Sequence, residues 1–373
     1  MKILMIAPTP FFSDRGCHVR ILEEIKTLQE LNHQVTLVTY HLGKEVKNIN
    51  TVRTIEIPWY KKTEAGASYH KLYLDILLIL KTIECIIKEK PDIIHAHLHE
   101  GASIALAAKT ILLNKTPLLL DSQGSLTKEM QDHGYLKNKA IYTLFKLIER
   151  FIEKNVTVKI SSTSTPQYMP LLDAVDINKF KKKKSNLKEE LNLPNHPLIV
   201  YLGVLDKYQG IDLLLETIAL VTKEIKVHFL IMGYPKVEYY KKLAKKLNVE
   251  EYVTFTGRIN YDLAPEYLSL GDIAISLKLS ETEANGKVYN YMACSLPTIV
   301  IDNKTNREIG EGTLKYVQAN KEAIKETIIT LLKDQKLAKE LGKNAREQVI
   351  KKHSWEKRGK QLEEIYKKCQ RSR

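Results

Sequence analysis

Residues 253–276, VTFTGRINYDLAPEYLSLGDIAIS, contain the pattern that decides the fold. The run Val253–Thr256 predicts a buried strand, Leu263–Ser269 has helical spacing, and Ile273–Ser276 predicts a second strand. Two parallel strands need a crossover between them, and the crossover is usually a helix. This stretch therefore predicts one β–α–β unit of a parallel sheet.

The same alternation runs along most of the chain. It starts with the strand Lys2–Ala7 and starts again with Leu198–Leu202, so the sequence predicts two α/β halves. Residues 174–196, which contain the basic run Lys179–Lys184, are typical of an interdomain linker or its edge. The lysine run itself is interpreted as a solvated surface loop rather than a nucleic-acid patch.

Together these patterns predict an α/β fold of two doubly wound parallel-sheet domains, residues 1–175 and 176–354, followed by a terminal helix at 355–373. In such sheets, ligands bind beyond the carboxyl ends of the strands. With two domains, the expected site is the cleft between them.

The composition excludes several classes of protein. The chain has 373 residues, 44% of them hydrophobic and 27% charged, which is ordinary for a folded enzyme. Its apolar runs are much shorter than the ~20 residues of a membrane span. None of its four cysteines forms a CxxC pair, so we expect a reduced, cytoplasmic protein without disulfides or a structural metal. A net charge of +14 fits anionic lipid or phosphorylated substrates, and no nucleic-acid motif accompanies it.

Residues 280–297, SETEANGKVYNYMACSLP, form the clearest candidate site. A predicted strand ends just before them, and Asn285, Gly286 and Lys287 then open a predicted helix. Free N–H groups at a helix start, the positive end of its dipole and a lysine together suit a diphosphate. We therefore predict that these three residues bind the phosphates of a nucleotide.

Polar side chains on either side of this turn predict contacts with sugars. Asn290 lies one turn after Lys287 on the same helix face, where it can reach a ribose hydroxyl. Glu281 and Glu283 come just before the turn and can accept hydrogen bonds from the hydroxyls of a transferred sugar. The alternative is an asparagine that caps a surface helix beside a solvated lysine.

The turns after the first strand of each half are further candidates for ligand binding. In the second half, Gly203 ends the strand, Gly210 opens a helix, and Lys207 between them is predicted to reach a phosphate. In the first half, Gly16 precedes a helix and would let backbone N–H groups approach a ligand. An ordinary βα turn is the alternative there. The missing GxGxxG argues against a nicotinamide dehydrogenase.

Three histidines alternate in residues 92–100, DIIHAHLHE. No carboxylate or cysteine with metal-ligand spacing stands out beside them, so we predict structural histidines rather than a metal site. His99 or Glu100, at the end of the strand, is predicted to contact a sugar hydroxyl. The stretch Asp121–Gly124 follows another strand and is expected to point into the same cleft.

Residues 134–159 predict a basic amphipathic helix. Its apolar stripe contains Ile141, Leu144, Ile148 and Phe151. Such a helix can lie on an anionic membrane surface. The alternative is that the stripe packs on its own domain.

Several segments resemble one large enzyme family. Its pattern is matched by MKILMIAPTP (1–10), NHQVTLVT (32–39), PDIIHAH (91–97), the stretch 253–276, MACSLPTIV (292–300) and HSWEKRGKQLEEIY (353–366). The chain is similar to retaining glycosyltransferases of the GT-B fold, which include sucrose synthases, phosphatidylinositol mannosyltransferases and lipopolysaccharide glucosyltransferases. The resemblance implies two Rossmann-like domains that face each other across a cleft. It also implies a nucleotide-sugar site in the C-terminal domain and a terminal helix that crosses back to the N-terminal domain.

Two departures from the family pattern concern its acid and histidine positions. The family's paired glutamates, separated by seven residues, correspond here to Thr282 and Asn290, with Glu283 next to the first. The histidine that many members carry in the first domain corresponds roughly to Gln123. These differences put in doubt which side chains contact the ribose and the sugar.

A third departure concerns the donor diphosphate. The family's arginine and lysine correspond to Val204 and Gln209, so neither charge is present. The cations left to serve a diphosphate are Lys207, Arg258 and Lys287.

The resemblance implies an enzyme that moves a sugar, with retention, from a UDP- or GDP-sugar to an acceptor without needing a metal or other cofactor. The expected acceptor is a lipid-linked or cell-surface glycan precursor, reached from the cytoplasm or from the inner face of the membrane. Glu283, Lys287 and His99 are the predicted catalytic residues. The alternative is a catalytically silent protein that binds a nucleotide sugar or acts as a scaffold.

Overall fold

The computed structural model describes residues 1–14, 16–61, 63, 70–132, 138–280 and 284–371 of the chain. Two compact units are present. The first contains Met1–Leu172 and Trp355–Arg373, and the second contains Asp173–Glu281 and Asn285–Ser354. Each unit is built around its own parallel sheet.

In the first unit, helices cover a parallel sheet. Its strands are β1 (Lys2–Ala7), β2 (Gln34–Thr39), β3 (Asn50–Arg53), β4 (Ile93–His97), β5 (Leu118–Asp121), β6 (Val158–Ser161) and β7 (Met169–Pro170). The helices of this part of the chain are α1 (Gly16–Glu30), α2 (His70–Glu89), α3 (Leu98–Ile111), α4 (Leu126–Asp132) and α5 (Lys139–Asn155). The described residues pair the strands in the order β3-β2-β1-β4-β5-β6-β7.

The second unit repeats this plan. Its strands are β8 (Leu198–Leu202), β9 (His228–Met232), β10 (Val253–Gly257), β11 (Ile273–Ser276), β12 (Thr298–Ile301) and β13 (Lys315–Val317). They lie in the order β10-β9-β8-β11-β12-β13. The helices are α6 (Leu187–Glu190), α7 (Ile211–Val221), α8 (Val237–Lys246), α9 (Ala264–Leu268), α10 (Lys287–Ala293), α11 (Lys304–Gly310), α12 (Lys321–Lys333) and α13 (Gln335–Lys352). A 3-10 turn at Lys207–Gln209 precedes α7, and the last helix of the chain, α14 (Trp355–Arg371), belongs to the first unit.

The cores follow from the strand sequences. All residues of β1 after Lys2 are buried, and β4 and β9 are buried throughout. Strands that are covered by helices on both faces bury both sides, which is why these segments are nearly continuous apolar runs. The architecture confirms the predicted class of two doubly wound α/β domains. Within the described residues, no helix combines the length and the apolar character needed to cross a bilayer.

The predicted linker at residues 174–196 is not a loose connection, because it lies inside the second unit. Phe180 is fully buried there, and its carbonyl accepts a hydrogen bond from the guanidinium of Arg346 at 3.0 Å. Within the basic run, Nζ of Lys179 lies 2.6 Å from Oδ1 of Asp262. The sequence pattern did not predict this packing, because the many lysines of the segment indicate a solvated loop while Phe180 anchors it in the core.

The terminal helix α14 packs against α1 and reaches the centre of the first sheet. The hydroxyl of Tyr366 lies 2.7 Å from Nδ1 of His95 on β4, and both residues are fully buried. This hydrogen bond joins the end of the chain to the strand at the middle of the unit.

We expect Tyr366→Phe to lower the free energy of unfolding by about 1–3 kcal/mol, because it leaves a buried imidazole nitrogen without its partner. Chemical denaturation of the full chain measures this change. Tyr239→Phe is the matched control, since Tyr239 is exposed on α8. Equal stabilities of the two variants would contradict the structural role of the hydrogen bond.

Candidate functional site

In the second unit, the strand order reverses between β8 and β11, because β9 lies on the other side of β8. Doubly wound sheets bind ligands beyond the carboxyl ends of the strands at such a reversal. Lys287, the first residue of α10, lies at this place. Its Nζ donates hydrogen bonds to Oε1 of Gln209 at 2.6 Å and to the hydroxyl of Tyr201 at 3.2 Å. The same ammonium group lies 4.6 Å from the centre of the Tyr201 ring.

Two glycines beyond β8 make room for this arrangement. Gly203 has φ +153°, and a Cβ there would lie 2.8 Å from Nζ of Lys287. Gly210 has φ +77°, and a Cβ there would lie 2.2 Å from the carbonyl oxygen of Leu277. A larger residue at position 210 would push apart the segments that follow β8 and β11, and one at position 203 would displace the ammonium group of Lys287. The turn pattern indicated both glycines, but not that Lys287 is the neighbour of the first.

A cation is present beside position 209, although another part of the chain supplies it. Gln209 stands where the resembled family has a lysine, and its carboxamide is bonded to Lys287, which is 78 positions away in the sequence. The other available cations, Lys207 and Arg258, are both exposed. Arg258 lies beyond β10, where its guanidinium is 4.8 Å from the centre of the Tyr234 ring.

The side chain of Asn285 is directed into the interior of the second unit. It is only 2% exposed. Its Oδ1 accepts a hydrogen bond from Ser276 at 3.2 Å, and its Nδ2 donates to Asn306 at 2.9 Å. These bonds tie β11 to α11, and they argue against the predicted contact between this amide and a ligand.

Gly286 and Asn290 flank Lys287 in the sequence. Gly286 has the helical φ of −54°, and a Cβ there would lie 3.0 Å from Oδ2 of Asp173. Asn290 is half-buried one turn after Lys287, and its side chain has no hydrogen bond to another described residue. The binding roles of Gly286 and Asn290 stay predictions.

Glu281, Thr282 and Glu283 lie outside the described residues. The catalytic role of Glu283 and the sugar contact of Glu281 therefore stay predictions. The helix that follows them, α10, has seven residues.

In the first unit, the strand order reverses between β1 and β4. The loop after β1 leads to Gly16, where an added Cβ would meet no atom of the described residues within 4 Å. A ligand has space to approach this backbone, and the binding role of Gly16 stays a prediction. The loop is held by His18, a buried residue that the sequence did not single out, whose Nδ1 accepts from the N–H of Ser13 at 2.9 Å.

A buried ion pair occupies the carboxyl end of β5. Nε of Arg20 lies 2.7 Å from Oδ2 of Asp121 and 3.1 Å from Oε1 of Glu24. Burial raises the pKa of Asp121, but the Arg20 guanidinium and the neighbouring His97 outweigh burial and hold this pKa below its usual value. Asp121 therefore points at Arg20. Its place at the end of a strand had predicted the opposite, that it would point outward. Gln123 donates to the same carboxylate at 3.2 Å.

His95 and His97 line this ion pair as uncharged rings. Burial lowers the pKa of both imidazoles. The structure places the carboxylates of Glu24 and Asp121 beside them, and the structural role of these histidines stays a prediction. His99 is also buried, and its Nε2 faces the glutamates Glu149 and Glu153 of α5 at 3.7 and 3.6 Å. Its predicted contact with a sugar hydroxyl stays a prediction.

Comparison with known proteins identifies the family. Residues 182–348 match the family described as Glycosyl transferases group 1, and residues 15–157 match Glycosyltransferase Family 4. This chain is a GT-B glycosyltransferase. The N-acetyl-alpha-D-glucosaminyl L-malate synthase of Bacillus anthracis is 24% identical over 388 residues, which cover 97% of this chain and 96% of that relative.

Solved structures show the same fold. Sucrose-phosphate synthase from Thermosynechococcus elongatus has a TM-score of 0.81 at 18% identity and covers 99% of this chain and 98% of its own. Anabaena HepE, solved in complex with UDP and glucose, has a TM-score of 0.79 at 15% identity, with 99% and 100% covered. Both similarities confirm the GT-B fold that the sequence motifs imply.

The first unit of this glycosyltransferase also has a polar cluster that the sequence analysis missed, apart from Glu100. The hydroxyl of Tyr40, just beyond β2, lies 2.5 Å from Oδ1 of Asp75 and 2.8 Å from Oε1 of Glu100. Lys71 is ion-paired with the other oxygen of Glu100 at 2.5 Å. Burial, and then the nearby charge of Glu100, raises the pKa of Asp75 to about 7. The members of this cluster are far apart in the sequence, so no local motif predicts it.

We expect Asp75→Asn to raise the melting temperature more at pH 8 than at pH 5. The folded-state pKa of Asp75 lies above the ordinary value of 3.8, so its ionisation costs stability as the pH rises towards 7. Melting curves of both proteins across this pH range measure the difference. Glu84→Gln on the same helix is exposed and should show no such increase. A constant difference between Asp75→Asn and the parent chain would contradict the raised pKa.

Proposed function

We propose that this glycosyltransferase takes a nucleoside-diphosphate sugar in its second unit and transfers the sugar, with retention, to an acceptor bound by its first unit. The observation that carries the proposal is the hydrogen-bonded ammonium group of Lys287 at the strand reversal of the second sheet. The relative solved with UDP and glucose supports a donor of this class.

The chemistry of the step explains why a held cation matters. Breaking the bond between the sugar and the diphosphate leaves negative charge on the phosphate oxygens. A positioned ammonium group stabilises that charge as it develops, and it does so most strongly when little reorganisation is needed. Lys287 is positioned in this way, and the exposed Lys207 and Arg258 can add to the positive potential. We propose that these side chains, and not a metal ion, serve the leaving group.

We expect Lys287→Ala to lower kcat/KM for transfer by about 10²-fold, which corresponds to ~3 kcal/mol of transition-state stabilisation. A thermal-shift screen of nucleoside diphosphates and their sugars first identifies the donor, because a specific ligand stabilises the folded chain. Lys336→Ala is the control, since Lys336 is exposed on α13.

Three outcomes are informative. Loss of rate in Lys287→Ala alone supports the proposal, and equal rates in both variants refute the site. Tight binding of a nucleotide sugar by the parent chain with no turnover would favour the catalytically silent alternative.

We further propose that the first unit docks on an anionic membrane surface, where it meets a lipid-linked or cell-surface glycan precursor. Two helices support this. On α5, the predicted apolar stripe is 41–63% exposed, and the covered residues are instead Glu149 and Ile152. On α2, the exposed residues Leu72, Ile76 and Leu80 recur every four positions and form a second exposed apolar stripe.

The charge of α5 indicates which kind of surface fits. Both α2 and α5 pack against α3. Lys139, Lys146, Arg150 and Lys154 are exposed along α5 beside its stripe. Apolar side chains with flanking cations suit a bilayer of anionic lipids better than a neutral one.

We expect the parent chain to bind vesicles of phosphatidylglycerol and phosphatidylcholine, and to bind pure phosphatidylcholine vesicles much more weakly. The double variant Leu147→Ser/Phe151→Ser should reduce binding to the anionic vesicles at least ~10-fold, because it removes apolar contact area. Vesicle co-sedimentation measures both. Ile350→Ser, at an exposed position on α13, is the control. Unchanged binding by the double variant would contradict docking through α5.

A further inference from the structure

The covered face of α5 carries two acids beside the buried Ile152. Glu149 and Glu153 lie four positions apart on this helix, and both point towards the start of α3. Like charges at this spacing repel each other, and covering them adds a cost of desolvation. A positive charge between α5 and α3 would offset both costs.

The group that faces these acids is the imidazole of His99. His99 is 2% exposed, and its Nε2 makes no hydrogen bond to a described residue. This nitrogen lies 3.7 Å from Oε1 of Glu149 and 3.6 Å from Oε1 of Glu153. The three ligand atoms all lie within 4.8 Å of one another. Such separations are close to those between atoms that share one metal ion with bonds of ~2.1 Å.

Both carboxylates also accept hydrogen bonds from neighbouring hydroxyl groups. The hydroxyl of Ser125 donates to Glu149 at 2.9 Å, and Thr127 donates to the other oxygen of the same group. Tyr168 donates to Glu153. Hydrogen bonds of this kind commonly fix the carboxylate ligands of a metal, and their loss weakens the binding of the metal.

We propose that His99, Glu149 and Glu153 bind one divalent transition-metal ion that ties α5 to α3. One imidazole nitrogen and two carboxylate oxygens suit Mn²⁺ or Zn²⁺ better than Ca²⁺ or Mg²⁺, which prefer oxygen ligands alone. The ion is structural. It neutralises the covered acids and holds the helix whose other face carries the exposed apolar stripe.

A second group of possible ligands in the same unit is a weaker candidate. Glu24, His95, His97 and Asp121 also lie close enough to share an ion. Here the guanidinium of Arg20 already pairs with both carboxylates, so a divalent ion would meet a positive charge at close range. The group at α5 has no arginine or lysine within ion-pairing distance among the described residues.

The test uses the full chain stripped of metal with a chelator and titrated with MnCl₂ and, separately, ZnCl₂ by calorimetry. We expect one ion per chain, and a melting temperature raised by about 5 °C at a hundredfold excess over Kd. His99→Gln and Glu153→Gln should each weaken the binding at least ~10-fold. Electron paramagnetic resonance of bound Mn²⁺ gives a readout that does not depend on transferase activity.

His70→Gln, at an exposed position on α2, is the control for metal bound at surface histidines, and it should leave the Kd unchanged. If His99→Gln fails to fold, Glu153→Gln decides, since Glu153 is only partly covered. Failure of the stripped parent chain to bind either ion would overturn the proposal. So would binding that is unchanged in Glu153→Gln, because the ion would then lie elsewhere.

Discussion

The ammonium group of Lys287 is the point on which the proposed chemistry of the second unit depends. It reaches Gln209 and Tyr201 because β8 and β11 are neighbours in the sheet and because glycine stands at position 203. A cation that is already held in place meets a developing negative charge without first losing its own freedom. An exposed lysine such as Lys207 would lose side-chain conformational entropy when it binds the diphosphate. In the proposed reaction, the order of the strands thus places Lys287, rather than another of the chain's many lysines, beside the diphosphate.

The fold could be predicted because strands covered on both faces are apolar without interruption, and that signal is local. The site could be predicted only in part. Gly203 and Lys287 stand in turns after strands, where residue type alone is informative. The hydrogen bond between Lys287 and Gln209 could not be predicted, because the two residues are 78 positions apart and neither local sequence indicates the contact. Asn285 shows the converse, since its position in a turn suggested a ligand while its amide is bonded to Asn306 inside the unit.

The two units manage buried charge in different ways. In the first unit, the guanidinium of Arg20 pairs with the carboxylates of both Glu24 and Asp121, so one buried positive charge faces two buried acids. In the second unit, the described partners of Lys287 include a carboxamide and a hydroxyl, which accept hydrogen bonds and carry no charge.

An amphipathic pattern defines two faces of a helix but does not say which one the protein covers. In α5 the covered face contains Glu149, Glu153 and Ile152, while the apolar stripe is open to solvent. This arrangement is costly for an isolated soluble domain, because acids are desolvated and apolar area is exposed at once. Each cost falls if it has its own partner, a cation against the acids and an apolar surface against the stripe. Because both partners act through one helix, an ion that fixes the inner face also fixes the direction in which the outer face points.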